Sequence, residues 1–294
     1  MSKATFAVPA EESAHHPHIT INDKAPPTEE VITATRISPD HASKRSDKCL
    51  RRTPRNTQCI RFPPKTSLCY RRLDQLFFSS TPKRALSSYK KPWEKVHAEP
   101  NIYVLENFLT TKEISHLMEF VATKRFQRSF VDGENNISSI DRSHRTSTFL
   151  SFAKQHDKTI ATIEQRAADL LGTQTRALEG LQLVRYEQGQ FFGVHHDLGI
   201  YDEEEDTVAL PPKTTWSPRR LVTLFCYLND CSEGGATVFP KAQLRVQPAA
   251  GNAVLFSNVM SGGMPDVRTL HAGEPPTSPQ CVKYGLNIWF CEEF

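Results

Sequence analysis

The sequence predicts a mainly β domain with flanking helices (α+β), in which the strands form a sandwich or a barrel. Two observations lead to this fold class. From residue 181 onward, short β-rich segments recur between turn-forming residues, which is typical of all-β sandwiches and barrels. Before them lie two segments whose apolar residues recur at helical spacing, which predicts amphipathic helices packed outside the sheet.

Residues 1–98 differ in composition from the remainder. The first forty are polar and contain Pro9, Pro17, Pro26 and Pro27, and a segment rich in Lys and Arg follows from Lys44. Such a segment buries too little apolar surface to offset the entropy of ordering. We therefore predict a disordered, basic extension over 1–98 and a folded domain over 99–294. The extension is either a targeting or nucleic-acid-binding arm or a solvated tail, and 76–78 could form a short docking turn.

The folded part is predicted to begin with a short strand at 102–105. Thr110-x-x-Glu113 is a capping box that starts the first helix. The second helix covers about 156–171 and ends at Gly172, which suits a C-terminal cap. The predicted strands that follow are 181–186, 220–228, 244–246, 253–257 and 284–291. Between them, the acidic run 201–206 predicts either a solvated loop or a lid that attracts a basic substrate.

Composition limits the compartments and partners that the sequence supports. The net charge of +3 gives no indication of a nucleic-acid or membrane partner. No apolar run approaches the roughly 18 residues of a membrane span, and no secretory signal is evident. Seven cysteines, an odd number without a C-x-x-C pair, fit a reducing compartment. We therefore expect the cytoplasm rather than the endoplasmic reticulum; the sequence carries no signal for the oligomeric state.

The triplet His195-His196-Asp197 is the first candidate metal motif. On a strand, residues two apart face the same side, so His195 and Asp197 could bind one metal while His196 points away. A surface ion pair is the simpler interpretation of this triplet. A facial triad needs a second His, and His271 is the candidate, in a segment expected to pair with the strand after it. Lys283 lies in an apolar strand, where a buried ammonium needs an anion such as a dicarboxylate.

Several motifs together resemble the prolyl 4-hydroxylase family of iron(II)- and 2-oxoglutarate-dependent dioxygenases. The resemblance covers about 102–291. Its motifs are Arg145-Thr-Ser, Tyr186-x-x-Gly-Gln-x-Phe192-x-x-His195-x-Asp197, the segment 220–230, Gly234-Gly-Ala-Thr237-Val-Phe-Pro, Pro248-x-x-Gly-x-Ala-x-x-Phe256, His271-Ala-Gly and Lys283-x-x-x-Asn-x-Trp289. Each motif alone has little specificity, whereas their common order is highly specific.

The resemblance implies a double-stranded β-helix, or jelly roll, that uses iron(II), 2-oxoglutarate and O₂, with L-ascorbate as reductant. By motif position, it implies that His195, Asp197 and His271 bind iron. It also implies that Lys283 pairs with the far carboxylate of 2-oxoglutarate, and that Tyr186 and Thr237 donate hydrogen bonds to it.

Three further residues fall where the family shapes its substrate site, namely Arg220, Trp289 and Phe192. Simpler interpretations remain for four of the residues implied by the resemblance. Tyr186 and Trp289 could be core aromatics, Thr237 could cap a turn, and Arg220 could form a surface ion pair.

The implied reaction is hydroxylation of an unactivated C–H bond, most simply 4-hydroxylation of a peptidyl proline, with release of succinate and CO₂. Asp197 favours hydroxylation over halogenation, since halogenating relatives have a small residue there. The chain departs from the family where Phe192 replaces a Tyr and Cys291 replaces a His. These departures keep open the same chemistry on another side chain, a free amino acid or a small molecule. A third hypothesis is an inactive jelly-roll binding module.

Overall fold

A computed structural model describes residues 34–36, 73–78, 86, 89–128, 131–132, 138–139, 144–210, 219–261 and 263–292. They lie in one compact unit, residues 32–294. Its helices are α1 (Thr111–Thr123) and α2 (Lys158–Leu171). Its strands are β1 (Ala34–Arg36), β2 (Trp93–Ala98), β3 (Asn101–Leu105), β4 (Gln127–Arg128), β5 (Val131–Asp132), β6 (Ser138–Ser139), β7 (Thr148–Ser151), β8 (Gln182–Tyr186), β9 (Phe192–His195), β10 (Ile200–Asp202), β11 (Thr207–Ala209), β12 (Arg220–Tyr227), β13 (Thr237–Phe239), β14 (Leu244–Val246), β15 (Ala253–Ser257), β16 (His271–Gly273) and β17 (Lys283–Cys291).

Two antiparallel sheets carry the site. The large sheet has eight strands in the order β2-β3-β15-β12-β17-β8-β7-β4, and the small sheet has five in the order β1-β14-β13-β16-β9. Non-consecutive strands are neighbours in both sheets, as expected when a chain winds between two layers. This arrangement confirms the predicted double-stranded β-helix, and its strands β8, β12, β14, β15 and β17 agree with the sequence prediction to within one residue at each end.

The large sheet separates two apolar layers. On its outer face, Leu224 and Leu286 pack with Ile160 and Leu171 of α2. On its inner face, Val184 and Phe225 pack with Phe239 and Val246 of the small sheet. Because side chains alternate along a strand, Thr223 shares the inner face of β12 with Phe225, and Lys283 and Trp289 share the inner face of β17. The alternation therefore directs these polar groups into the space between the sheets.

Capping interactions fix the ends of the two helices. The Thr110 hydroxyl accepts a hydrogen bond from the Glu113 N–H, and the Glu113 carboxylate accepts one from the Thr110 N–H, which confirms the capping box. Asp157 caps α2 by accepting from the Ile160 N–H at 2.9 Å. Gly172 ends α2 with φ of 62°, a left-handed conformation that glycine adopts without a Cβ clash.

Ordered structure begins before the predicted boundary at residue 99. Trp93–Ala98 forms the edge strand β2, and the helical turn Asp74–Phe78 places Leu76 in the outer core, 0% exposed. The Asn101 side-chain amide donates to the Phe77 carbonyl at 2.9 Å. A few well-spaced apolar residues therefore anchor a segment that polar composition alone assigned to the extension. Ala34–Arg36 forms the strand β1 on the small sheet, Leu86 is buried, and residues 89–92 are also described. The predicted disorder of the remaining residues before 93 lies outside the described part of the chain.

Two other features differ from the sequence expectations. The His271 strand β16 pairs with β13 and β9 of the small sheet, and not with the Lys283 strand β17. Cys231 and Cys281 form a disulfide, a bond found mainly in oxidising compartments. This bond weighs against the expected cytoplasmic compartment, which stays a prediction. Within the described residues, no helix has the length and apolarity needed to cross a membrane.

We predict that Leu76→Ala lowers the free energy of unfolding by about 2–5 kcal/mol, because it leaves a cavity in the outer core. Urea denaturation of the full chain measures the loss. The matched control is Ile200→Ala, since Ile200 is 44% exposed and its truncation should change stability by about 0.5 kcal/mol or less. Equal stability of Leu76→Ala and the original chain would show that residues 73–78 are not part of the folded core.

Candidate metal centre

The small sheet and the turn after β9 bring three predicted ligands together. His195 at the end of β9 is in register with His271 at the start of β16, and Asp197 follows two residues after His195. One ligand atom from each residue lies within 4.8 Å of the others. The distances are 3.6 Å from His195 Nε2 to Asp197 Oδ1 and 3.6 Å from His271 Nε2 to Asp197 Oδ2. These atoms converge on one point, as metal ligands do.

Hydrogen bonds prepare both imidazoles to bind through Nε2. His195 Nδ1 lies 2.8 Å from the Gly193 carbonyl, and His271 Nδ1 lies 3.1 Å from the Thr269 carbonyl. A carbonyl accepts, so each Nδ1 carries the proton and each Nε2 keeps its lone pair. Burial and the neighbouring His195 lower the pKa of His271 to about 3. The His271 imidazole is therefore neutral at neutral pH, as a metal ligand must be.

The third ligand is charged although it is buried. Burial alone raises the pKa of the Asp197 carboxyl, but the surrounding groups, among them the Arg220 guanidinium, hold the pKa well below its ordinary value. Two imidazoles and one carboxylate fit an octahedral iron(II) site with open positions better than a closed tetrahedral zinc site. The donor set therefore fits the metal implied by the sequence.

His196 is turned away from this centre, as the alternation predicted. Its Nε2 lies 3.1 Å from the Asp266 carbonyl, and its Nδ1 accepts from the Leu198 N–H at 3.2 Å. Burial lowers the pKa of His196 to about 4, so the imidazole is neutral. His196 thus supports the loop 258–266 and does not reach the metal.

Lys283 lies between the sheets and is 1% exposed. Its Nζ stands 5.1 Å, 5.2 Å and 5.8 Å from the rings of Tyr186, Phe225 and Tyr227. Within the described residues, no carboxylate forms an ion pair with this ammonium, and burial lowers the pKa of Lys283 to about 7. A buried cation held only by aromatic faces is a site for an anion.

Tyr186 lies beside Lys283, and Thr237 lies against Tyr227, whose ring also faces Lys283. Tyr186 is in register with Lys283, and its hydroxyl oxygen is 3.4 Å from where a Cβ on Gly273 would be. Gly273 is two residues from His271, so this pocket adjoins the metal centre. The Tyr227 hydroxyl donates to Thr237 Oγ1 at 2.9 Å, which leaves the Thr237 hydroxyl proton for another acceptor. Tyr227 was missed, although its period-two spacing from Thr223 and Phe225 identifies it as an inner-face residue.

The three predicted substrate-site residues lie around the metal ligands. The Arg220 guanidinium stacks on Trp289 at 3.6 Å and donates from Nε to Glu179 at 2.9 Å. Trp289 Nε1 donates to Asp197 Oδ2 at 3.1 Å. Trp289 thus packs in the core and also donates a hydrogen bond to Asp197. Arg220 forms an ion pair with Glu179 and stacks on Trp289.

Phe192 stacks on the His195 imidazole with 3.5 Å between ring centroids. The guanidinium of Arg145 lies 4.3 Å from the centroid of Phe192. Arg145 belongs to a sequence motif to which no role was assigned, and the structure places it at this site. Phe192 therefore lies in a three-part stack between a cation and a metal ligand.

Comparisons with known proteins agree with this site. Residues 181–291 match the 2OG-Fe(II) oxygenase superfamily, which defines the class of protein and implies iron(II), 2-oxoglutarate and O₂. The chain is 33% identical over 199 residues to probable prolyl 4-hydroxylase 10 of Arabidopsis thaliana, covering 61% of this chain and 65% of that one. It is 31% identical over 216 residues to probable prolyl 4-hydroxylase 8 of the same plant, covering 67% and 70%. The chain belongs to the prolyl 4-hydroxylase family.

The structural comparison is weaker than the sequence comparison. The viral collagen prolyl hydroxylase of Paramecium Bursaria Chlorella virus-1, in its 2OG complex, is 23% identical, with a TM-score of 0.48, covering 68% of this chain and 96% of that one. The family assignment therefore rests on the sequence matches. The chain spans just under two thirds of the length of the first plant relative and 70% of the second.

We predict that His271→Ala weakens Mn(II) binding at least about 100-fold, because one of three ligands is lost. Titration of the metal-free protein, followed by the electron paramagnetic resonance signal of free Mn(II), measures the affinity. His196→Gln is the matched control: it removes a buried imidazole next to the centre and should lower stability with little effect on Mn(II) affinity. Equal losses in the two variants would contradict the ligand assignment.

Proposed function

We propose that this protein is an iron(II)- and 2-oxoglutarate-dependent dioxygenase that hydroxylates peptidyl proline at carbon 4. One observation carries the proposal: a buried ammonium, Lys283, has no carboxylate partner among the described residues and lies beside a two-His, one-carboxylate centre. A dicarboxylate that chelates the metal at one end can pair with the Lys283 ammonium at the other. The two plant relatives are named as probable prolyl 4-hydroxylases, which supports proline as the target.

In this mechanism, His195, Asp197 and His271 would hold iron(II). When bound, iron(II) would supply the chemistry by which O₂ and 2-oxoglutarate give succinate, CO₂ and one oxygen atom for the substrate C–H bond. Lys283 neutralises the far carboxylate of 2-oxoglutarate. The reaction balances as substrate C–H, 2-oxoglutarate and O₂ giving substrate C–OH, succinate and CO₂. L-ascorbate is the expected reductant that keeps the iron in the iron(II) state.

Hydroxyl groups complete the proposed cosubstrate pocket. Tyr186 and Thr237 donate hydrogen bonds to the carboxylate held by Lys283. Tyr227 directs this interaction, because its hydroxyl occupies a lone pair of Thr237 Oγ1 and so turns the Thr237 proton toward the ligand. Apolar and aromatic walls keep water away from the ion pair, and this strengthens it.

The substrate binds, in this proposal, on the side of the metal where Arg220, Trp289 and Phe192 lie. The plant relatives are named as probable prolyl 4-hydroxylases, and we propose a protein or peptide substrate for this chain as well.

A second candidate is the same reaction on another side chain, a free amino acid or a small molecule. Two observations favour keeping it. Phe192 offers no hydroxyl at the position where the family usually has a Tyr. The Cys291 thiol is buried and donates to the Trp289 carbonyl, so it offers the substrate less polar contact than the family His. An inactive binding module is disfavoured by the converging ligands and the buried Lys283.

We predict that 2-oxoglutarate binding weakens as the pH rises above about 7. Binding requires the charged ammonium, and in the free protein Lys283 loses its proton near that pH. Above it, binding must take up a proton, so the dissociation constant should rise about tenfold per pH unit until the pKa of the bound form is reached. Calorimetric titration of Mn(II)-loaded protein without O₂, between pH 6.5 and 8.5, tests this ~tenfold slope.

Lys283→Met provides the corresponding variant. It should weaken 2-oxoglutarate binding about 10- to 100-fold, as expected for loss of a charged hydrogen bond, and remove the pH slope. Lys241→Met is the control, because Lys241 pairs with Asp206 on the exposed β10–β11 hairpin. A pH-independent affinity in the original chain would contradict the role of Lys283.

We predict that proline-containing peptides gain one oxygen atom when incubated with the protein, iron(II), 2-oxoglutarate and O₂. Mass spectrometry detects the added oxygen, and one succinate should form for each. His195→Ala and Asp197→Ala should each abolish both products. A peptide carrying 4-hydroxyproline in place of proline serves as the substrate control and should gain no oxygen. Succinate formation that no proline peptide stimulates would favour the second candidate.

A further inference from the structure

We propose that Thr223 and Asn258 are positioning residues that hold Asp197 as a one-oxygen metal ligand. The inference rests on the proposed metal centre and adds two residues that its sequence motifs did not assign. Thr223 lies on the inner face of β12, and Asn258 follows directly after β15. Both are buried, at 1% and 0% exposure.

The two oxygens of Asp197 have different surroundings. Oδ2 accepts hydrogen bonds from Thr223 Oγ1 at 2.6 Å and from Trp289 Nε1 at 3.1 Å. Oδ1 faces His195 Nε2 at 3.6 Å. Oδ2 is equally close to His271 Nε2, but two donors already engage its lone pairs. Oδ1 is therefore the oxygen that remains for the metal.

Asn258 determines the direction of the Thr223 hydrogen bond. A threonine hydroxyl can either donate or accept. Asn258 Nδ2 lies 3.0 Å from the Arg220 carbonyl, which only accepts, so the amide nitrogen must face it. The same Nδ2 lies 3.0 Å from Thr223 Oγ1 and donates to it. The Thr223 proton is then left for Asp197 Oδ2, and the relay runs in one direction, from Asn258 through Thr223 to Asp197.

This arrangement has a cost in the folded protein. The Asn258 Oδ1 atom is buried, and among the described residues it has no hydrogen-bond partner. An unpaired buried acceptor destabilises the folded state, and an apolar residue would avoid this loss. The presence of Asn at position 258 is therefore better explained by the two hydrogen bonds that its side-chain nitrogen donates than by a contribution to stability.

A fixed Oδ2 matters because the reaction needs open coordination positions. If Thr223 did not hold it, the carboxylate could turn and bind the metal through both oxygens, filling a position needed by 2-oxoglutarate or O₂. It could also leave the metal altogether. Groups that orient a metal ligand typically contribute 10- to 100-fold in metal affinity, so the effect is measurable in metal binding itself.

The first test is the Mn(II) affinity of Thr223 variants of the full chain, measured on metal-free protein by the signal of free Mn(II). Thr223→Val removes the hydroxyl with little change in volume and should weaken Mn(II) binding about 10- to 100-fold. Thr223→Ser keeps the hydroxyl and should return the affinity to within about threefold of the original. Urea denaturation confirms that each variant is folded.

Ser257→Ala is the matched control. Ser257 is a buried residue on the neighbouring strand whose hydroxyl donates to the Val259 carbonyl at 2.7 Å. Its loss should lower stability without changing Mn(II) affinity. Unchanged affinity in Thr223→Val, or equal weakening in Thr223→Val and Thr223→Ser, would overturn the proposal.

The second test is a double-mutant cycle between the two residues. If Asn258 acts through Thr223, Asn258→Ala should weaken Mn(II) binding in the original chain and have no further effect in Thr223→Val. Additive effects would show that Asn258 does not act through Thr223. His195→Ala distinguishes failure of the positioning hypothesis from failure of the proposed metal centre. If this variant binds Mn(II) as tightly as the original chain, the assignment of the metal centre is wrong.

Discussion

The carboxylate of Asp197 is the interaction on which the rest of the site depends. It follows β9 of the small sheet, yet both groups that donate to its Oδ2, Thr223 and Trp289, belong to the large sheet. A buried carboxylate is costly unless it is paired and hydrogen-bonded, so these bonds hold the two layers in one relative position. The small sheet already places His195 and His271 in register, and the two bonds from the large sheet hold the Asp197 carboxylate beside them. The packing of the two sheets and the metal centre therefore both depend on the hydrogen bonds to the Asp197 carboxylate.

Period-two alternation explains how much of this site the sequence could predict. It placed His195 and Asp197 on one side and turned His196 away, and a lone Lys in an apolar strand drew attention to Lys283. The ordered series of motifs supplied His271. Contacts between distant segments, such as that of Asn258 with Thr223, could not be predicted. A single sequence shows which residues are present but not which distant residues come together in the fold. The β16 pairing was misjudged for the same reason, since sheet partners are set by the global winding.

The N-terminal boundary and the disulfide show where composition misleads. Residues 73–98 are mostly polar, but Leu76 is fully buried in the outer core and β2 pairs with β3 through backbone hydrogen bonds, and composition registers neither feature. Cys231 and Cys281 are 50 residues apart, and closing a loop of that length is worth about 4 kcal/mol in chain-entropy terms. Cys281 is two residues before Lys283, so the same bond also limits the movement of the strand that carries this buried lysine.

The stack of Arg145, Phe192 and His195 bears most directly on the substrate. A phenyl ring at position 192 keeps the contact with both neighbours, because the π faces serve Arg145 on one side and the imidazole on the other. A tyrosine would keep the same stack and add one hydroxyl at the ring edge, toward the site. The departure from the family thus removes a polar contact without disturbing a metal ligand. In the proposed reaction, the substrate would then be selected by the remaining polar groups near Phe192, chiefly Arg145, whose guanidinium favours carbonyl or carboxylate oxygens.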